Sequence, residues 1–168
     1  MIMRDASIFV VVIAADRITK LIVPHLMDLH QSIPVIPGFF SFTYVRNSGG
    51  AFGILAAWDN PLRRTFFITA SVAAIILLGF LYKQSMSAAS PFMRLSLVFI
   101  AGGAFGNLYD RAFSGEVVDF LDFYLGSWHW PAFNAADSAI FVGAVLLAYL
   151  YFTGEADVLI VKQDSDVS

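Results

Sequence analysis

The sequence has no cysteine among its 168 residues. This absence excludes disulfide bonds, a thiolate nucleophile and zinc–thiolate sites. Charged residues are scarce, at 14%, which is about half the share found in soluble domains. Hydrophobic residues make up 58%, so the charges are too few to cover the surface of a soluble globule. The composition excludes a disordered protein, a basic nucleic-acid-binding protein and an ordinary soluble enzyme, and it indicates an integral membrane protein.

Long apolar segments are what the sequence does contain. Each is long enough to cross a hydrocarbon core of about 30 Å at about 1.5 Å per residue. We therefore predict an all-α polytopic membrane protein whose single domain, residues 1–153, has four transmembrane helices and both termini on one side. The predicted spans are residues 6–27, 65–82, 92–109 and 132–152.

The two ends of the chain need separate interpretation. The first apolar segment is interrupted by Asp16, Arg17 and Lys20. A cleaved signal peptide ending near Ala15 is an alternative, but the apolar pattern resumes after Lys20, which favours a spanning helix. Residues 154–168 carry four acids and one lysine, a charge of −3 that equals the net charge of the whole chain. We expect this polar tail to be disordered.

The first and third connections between the spans are long and must share one side of the membrane. Residues 40–44 alternate between apolar and polar side chains, which predicts short β-strands in the connection 28–64. Residues 117–124, in the connection 111–131, are amphipathic and predict a short interfacial helix or a strand. All three tryptophans fall in these connections, and Trp prefers the headgroup level. Basic residues divide equally between the two sides, so the positive-inside rule does not fix the orientation.

Ionisable residues in or beside the spans are the candidate functional groups, because a carboxylate in the bilayer costs several kcal/mol unless it is paired or neutralised. Asp16 and Lys20 are four residues apart and share a helix face, either as a structural ion pair or as support for a polar site. Asn107 and Asp110 share a face of the third helix, next to Arg111. These three residues predict a hydrogen-bonded network where that helix leaves the membrane.

A second group of polar residues lies near the start of the fourth helix. Asn134 and Asp137 share a face there, so Asp137 is either a carboxylate stabilised by the helix dipole or a buried functional acid. Asp119 and Asp122 are three residues apart, and we expect one of them to face solvent and Asp119 to be the more constrained. Asp110, Asp119 and Asp137 therefore have positions from which they could converge.

Convergent carboxylates predict an aspartic hydrolase. Two carboxylates that lie close together share a proton at neutral pH. The ionised member can then activate water while the protonated member donates to a peptide carbonyl. A serine nucleophile at Ser48 is a weaker interpretation, because the histidines, His25, His30 and His129, all lie outside the span interiors. No metal-ligand spacing is present.

Two other functional classes stay open from the residues alone. A small transporter or proton-coupled channel would use the same acids and amides as a relay across the bilayer. A structural or assembly factor would use them only to hold its helices together. A transporter or channel predicts acids spread along a path across the bilayer. A structural or assembly factor predicts that substituting an acid reduces folding.

Five motifs in order resemble those of bacterial lipoprotein signal peptidase (signal peptidase II). They are DRITK at 16–20, NSGGAF at 47–52, GGAFGNLYDR at 102–111, VVDF at 117–120 and FNAAD at 133–137. Together they extend over most of the chain. The sequence departs from the family pattern at Arg17, where Gln is usual, and at Gly50, where Ala is usual. The first departure affects local contacts of the first helix, and the second affects the loop near the site.

The resemblance implies a specific enzyme. It implies a catalytic dyad of Asp119 and Asp137 that needs no metal or cofactor. It also implies a supporting and substrate-binding shell, made of Asp16, Lys20, Asn47, Gly49, Asn107, Asp110, Arg111 and Asn134. The expected reaction removes the signal peptide from a diacylglyceryl-modified prolipoprotein, just before the lipidated cysteine.

The resemblance also implies a place in the cell and an architecture. We expect four spans in the bacterial plasma membrane, both termini in the cytoplasm, and 28–64 and 111–131 outside. A small β-rich cradle and a short helix would lie on the extracytoplasmic surface, beside the active site. The expected partners are the prolipoprotein substrates, membrane lipid and the cyclic peptide inhibitor globomycin, and the expected state is a monomer that does not bind nucleic acid.

Overall fold

A computed structural model describes residues 2–49, 61–86 and 91–154. Within these ranges the chain forms long helices and a small sheet. The helices are α1 (Ile2–Leu26), α2 (Pro61–Ser85), α3 (Pro91–Phe113) and α4 (Ala135–Phe152), and the strands are β1 (Ser32–Ile36), β2 (Phe40–Asn47), β3 (Val117–Leu125) and β4 (Trp128–His129). The expected tail beyond Gly154 and the departure at Gly50 lie outside the described residues.

Each apolar segment found in the sequence lies largely within one of these helices. Helices α2, α3 and α4 are long and apolar enough to cross a membrane. Helix α1 has 25 residues, about 38 Å at 1.5 Å per residue, but it carries the charged residues noted above. Large apolar side chains on the outside of the bundle are exposed, for example Ile76 at 67% and Phe141 at 69%. Such an apolar exterior is typical of helices that face lipid.

Helix α3 is the centre of the bundle, with α1, α2 and α4 packed around it. Glycines on α3 permit close approach of the neighbouring helices. A Cβ atom on Gly102 would lie 2.9 Å from Val12 of α1, and one on Gly103 would overlap the carbonyl oxygen of Ala136 in α4. These contacts bring the polar faces of three helices together at one end of α3.

The connections between the helices build one four-stranded antiparallel sheet in the order β1-β2-β3-β4. The predicted strands in the first long connection are therefore confirmed. In the third connection the strand interpretation is correct, and residues 114–131 contain no separate helix. The reason is that β3 pairs along β2, with Asp119 opposite Val45, so its backbone hydrogen bonds are satisfied in the sheet. This pairing places Asp119 beside the end of α3.

Candidate active site

Asp119 is held by two asparagine side chains from different elements. Strand β3 carries Asp119 inward, where it is 3% exposed. The Asn47 amide, at the end of β2, donates to Asp119 Oδ2 at 3.0 Å. The Asn134 amide, just before α4, donates to Asp119 Oδ1 at 2.6 Å. Both carboxylate oxygens therefore have neutral hydrogen-bond donors.

Asp137 lies in the first turn of α4. Asn134 is the N-cap of that helix and forms a capping box with Asp137, in which each side chain accepts a hydrogen bond from the other residue's backbone N–H. The Asn107 amide of α3 donates to Asp137 Oδ1 at 2.7 Å. The helix N-terminus favours a negative charge, so this position suits an ionised carboxylate.

Asn134 links the two acids directly. Its amide nitrogen donates to Asp119 and, at 3.3 Å, to Asn107 Oδ1. Its oxygen accepts from the backbone N–H of Asp137 at 3.0 Å. Because Asn134 is 0% exposed, this network is sheltered from solvent, and the start of α4 is fixed to β3 and α3.

Burial, together with the charge of Asp137, raises the pKa of Asp119 to about 7, although the hydrogen bonds from Asn47 and Asn134 act to lower it. An acid with this pKa is partly protonated at neutral pH. It can therefore donate a proton at the pH at which a cell operates.

An ionic layer lies behind the amides. Lys20 Nζ lies 2.9 Å from Asp16 Oδ2 and 2.8 Å from Asp110 Oδ2, and it donates to Asn107 Oδ1 at 2.8 Å. The Asp16–Lys20 pair expected from the sequence is thus present. Asp16 also accepts from the backbone N–H of Ala136 at 3.0 Å. The layer therefore ties α1 to α3 and to the start of α4.

Arg111 contributes a cation at the edge of the site. Its guanidinium lies 5.1 Å from the centre of the Phe67 ring, and Nη2 lies 3.5 Å from the carbonyl oxygen of Gly49. Arg64 of α2 donates to the carbonyl oxygens of Arg111 and Ala112 at 3.0 and 2.6 Å. The last turn of α3 is thereby held against the first turn of α2.

A cavity of about 510 Å³ opens beside these groups. Five of the site residues predicted from the sequence line it: Asn47, Asn107, Arg111, Asp119 and Asp137. Asp16, Lys20, Asp110 and Asn134 lie in the network behind it, and Gly49 contacts Arg111. The rest of the wall is largely apolar and includes Trp130, Phe133 and Phe141. A cavity with an apolar wall and two acids at one end can receive an apolar peptide segment and hydrolyse it.

Comparison with known proteins shows the family of the chain. The family model for signal peptidase (SPase) II matches residues 8–153. The chain belongs to the signal peptidase II family. It is 44% identical to the lipoprotein signal peptidase of Desulforapulum autotrophicum over 148 residues, which cover 88% of this chain and 91% of that protein. It is 50% identical to the lipoprotein signal peptidase of Geobacter sulfurreducens over 138 residues, covering 79% and 81%.

The fold agrees with that family assignment. A solved structure of a bacterial membrane enzyme superimposes with a TM-score of 0.81 at 32% identity, covering 94% of this chain and 92% of the other. A second bacterial membrane enzyme structure superimposes with a TM-score of 0.78, also at 32% identity, covering 90% and 94%.

Two contacts of this signal peptidase II family member were not predicted. Arg17 forms an ion pair with Asp110 and lies 4.3 Å from the centre of the Tyr109 ring. Asp122 is buried like Asp119, and its carboxylate lies 3.0 Å from Nδ1 of His129 in the neighbouring strand β4. The expectation that one of the two acids faces solvent is therefore wrong. Sequence spacing along one element carries no information about such partners.

Proposed function

We propose that the chain is a membrane aspartic endopeptidase that removes the signal peptide from diacylglyceryl-modified prolipoproteins, just before the lipidated cysteine. The observation that carries the proposal is that Asp119 and Asp137 line one cavity and are joined through Asn134. The family and the curated relatives named lipoprotein signal peptidase support the substrate class.

In the proposed reaction one acid of the dyad donates a proton and the other accepts one. Asp119 carries the shared proton, in keeping with its raised pKa of about 7, and Asp137 is the ionised partner at the helix N-terminus. Asp137 accepts a proton from water, whose oxygen attacks the scissile carbonyl carbon. Asp119 donates its proton to the carbonyl oxygen, which stabilises the tetrahedral intermediate.

Collapse of that intermediate reverses the proton positions. The proton on Asp137 moves to the leaving amine as the carbon–nitrogen bond breaks. The hydroxyl proton of the intermediate returns to Asp119 as the carbonyl re-forms. The dyad is regenerated, and the products are a signal peptide with a free carboxylate and a lipoprotein with a free amino terminus.

We propose that Arg111 and the loop that contains Gly49 orient the substrate at the edge of the cavity. Arg111 lines the same cavity as both acids, where its guanidinium can donate to a backbone carbonyl of the extended peptide. Gly49 accepts from that guanidinium, so a bound peptide would compete for the same donor. We propose that residues 33–52 cover the substrate and exclude water.

We propose a topology of four spans in the bacterial plasma membrane, with α1 as the first because its charges are buried against α3. Both termini are cytoplasmic, 1–153 is one domain, 154–168 is a cytoplasmic tail, and the sheet and cavity lie at the extracytoplasmic surface. Trp128 and Trp130 are exposed there, at 59% and 47%, as expected at the headgroup level. Because the chain has no cysteine, single cysteines introduced on each side give an unambiguous labelling test with a membrane-impermeant maleimide.

We further propose that globomycin binds in the same cavity and that the enzyme acts as a monomer. Both points can be examined together. Globomycin should block cleavage competitively, and the protein reconstituted at one copy per lipid nanodisc should retain full activity. Activity that required two copies per disc would contradict the monomer.

The decisive experiment measures cleavage of a diacylglyceryl-modified prolipoprotein by purified protein, as loss of the signal-peptide mass. Asp119→Asn and Asp137→Asn should each abolish cleavage at unchanged expression. Asp122→Asn is the matched control, because Asp122 is another buried acid of β3 that does not line the cavity. If either dyad variant retained near-normal cleavage while Asp122→Asn lost it, the dyad assignment would fail.

A further inference from the structure

A second cavity, of about 340 Å³, lies between α1, α2 and α3. Helices α1 and α2 both pack on α3, but in the described residues they make little contact with each other. The gap between them is a groove with α3 as its floor. Its walls are almost entirely apolar, and Ala6, Gly79 and Ala101 are the small residues that leave it open.

Gly79 shows that the groove is not a site of helix packing. A Cβ atom added there would have no neighbour within 4 Å, whereas the glycines of α3 each lie against another helix. Glycine in a helix interior costs about 1 kcal/mol relative to alanine. No helix contact in the described residues accounts for the glycine at this position, but an occupant of the groove does.

A charged cluster lies at one end of the groove. Asp5 lines the groove and is 2% exposed. It is paired with Arg4 at 2.9 Å and with Arg94 at 3.4 Å, and Tyr82 donates to it at 3.0 Å. The Arg4 side chain is 53% exposed, so its guanidinium is available to a ligand at the end of the groove.

This cluster is remote from the acids of the active site. Arg94 and Asp110 are sixteen positions apart on α3, which is roughly 24 Å along the helix axis. The groove and its charges therefore belong to the opposite end of the bundle, and the proposed peptidase mechanism does not use them.

We propose that the groove binds one acyl chain of an anionic phospholipid, whose phosphate pairs with Arg4. The volume of the groove indicates the occupant. A helix about 10 Å across would fill 340 Å³ with only roughly 4 Å of its length, which is less than one turn. A single acyl chain therefore fits the groove, and a helix does not. The exposed guanidinium of Arg4 selects the headgroup, because a cation at the end of an apolar groove favours an anionic lipid over a zwitterionic one.

Native mass spectrometry tests the assignment on the full chain. The protein is incubated with equal amounts of phosphatidylglycerol and phosphatidylcholine that carry the same acyl chains. The wild-type protein should retain one lipid, mainly phosphatidylglycerol. Gly79→Leu should lower the retained lipid about ten-fold, the effect of excluding one leucine-sized group from an apolar site. Arg4→Gln should keep the lipid but lower the preference for phosphatidylglycerol about five-fold.

Matched variants keep the test independent of folding. Ile76→Phe adds bulk to α2 at an exposed position that does not line the groove, and lipid retention should not change. Ala6→Leu fills the groove from α1 and should reproduce Gly79→Leu. Equal retention of both lipids by the wild-type protein, or undiminished retention by both filled variants, would overturn the proposal. A dimer that Gly79→Leu dissociates would instead assign the groove to a second copy of the chain.

Discussion

The pKa of Asp119 leads to a quantitative prediction for the pH dependence of cleavage. The proposed mechanism needs Asp119 protonated, and burial together with the charge of Asp137 raises its pKa to about 7. The protonated fraction then falls from roughly nine-tenths at pH 6 to roughly one-tenth at pH 8. Because kcat/KM reports ionisation in the free enzyme, we expect it to fall about ten-fold over this range as the pH rises.

Asn47→Ala should move this decline in a defined direction. The Asn47 amide donates to Asp119 at 3.0 Å and lowers its pKa by stabilising the ionised form. Removing the amide therefore raises the pKa of Asp119 and shifts the alkaline decline to higher pH. A hydrogen bond worth about 1 kcal/mol makes the relative rate about four-fold higher than in the wild-type protein at pH 8 and about five-fold higher at pH 9.

The assay measures initial cleavage rates of the lipidated prolipoprotein at low substrate concentration from pH 5.5 to pH 9.5, with each profile normalised to its own maximum. Normalisation separates the shift from any general loss of activity. Arg46→Gln is the control, because Arg46 neighbours Asn47 in β2 but contacts Tyr44 and Glu116, and its profile should match the wild type. A decline that moves to lower pH in Asn47→Ala would refute the assignment of the proton to Asp119.

Three other changes test the arrangement. Between about pH 4 and pH 7 Asp119 keeps a proton in the folded protein that it releases in the unfolded chain, so the stability of the protein falls as the pH rises. At pH 8 Asp119→Asn should therefore be inactive and yet melt at a higher temperature than the wild type. A lower Tm would contradict this prediction. Lys20→Met leaves buried carboxylates without their shared cation at a cost of about 3–5 kcal/mol. It should abolish accumulation of folded protein, as measured by size-exclusion chromatography, while exposed Lys83→Met accumulates normally. Gly103→Ala forces a methyl group into the α4 backbone and should lower both Tm and the cleavage rate. Gly79→Ala, where the added methyl group has no close neighbour, should raise Tm. Equal changes in Tm for the two variants would show that α3 and α4 are not in close contact.

The sequence predicted the helices because their evidence is local. Long apolar segments with few charges determine helical spans through length and hydropathy alone. The alternation in 40–44 likewise predicted β2. For 117–124 the sequence left a helix and a strand open, because both faces of β3 become largely buried and the pattern contains no clear period of two. Pairing with β2 decided that choice, and pairing is a property of the folded chain.

The candidate site was predictable only in part, for a related reason. Spacing places Asn107 and Asp110 on one helix face, and Asn134 with Asp137 on another, and the structure brings these faces together. The partner of Arg17 was not predictable, because α1 and α3 meet only after the chain has folded. The same holds for the cluster around Asp5, whose partners come from three different helices. The roles of the site residues in catalysis stay predictions until the variants are measured.

Neutral amides contact the two acids of the dyad, and the buried lysine lies behind those amides. This arrangement explains how Asp119 can keep its proton. The carboxylates of the dyad are hydrogen-bonded by neutral amides, of Asn47, Asn107 and Asn134, while Lys20 lies one layer behind and reaches the dyad through Asn107. A lysine in direct contact with Asp119 would stabilise its ionised form and lower its pKa, and the acid would then lose its proton at neutral pH. The amides provide donors without a net charge, so they fix the geometry of Asp119 and leave burial and Asp137 to dominate its pKa. Removing the buried ion pairs should therefore affect folding first, and removing the amides should affect the pH profile first.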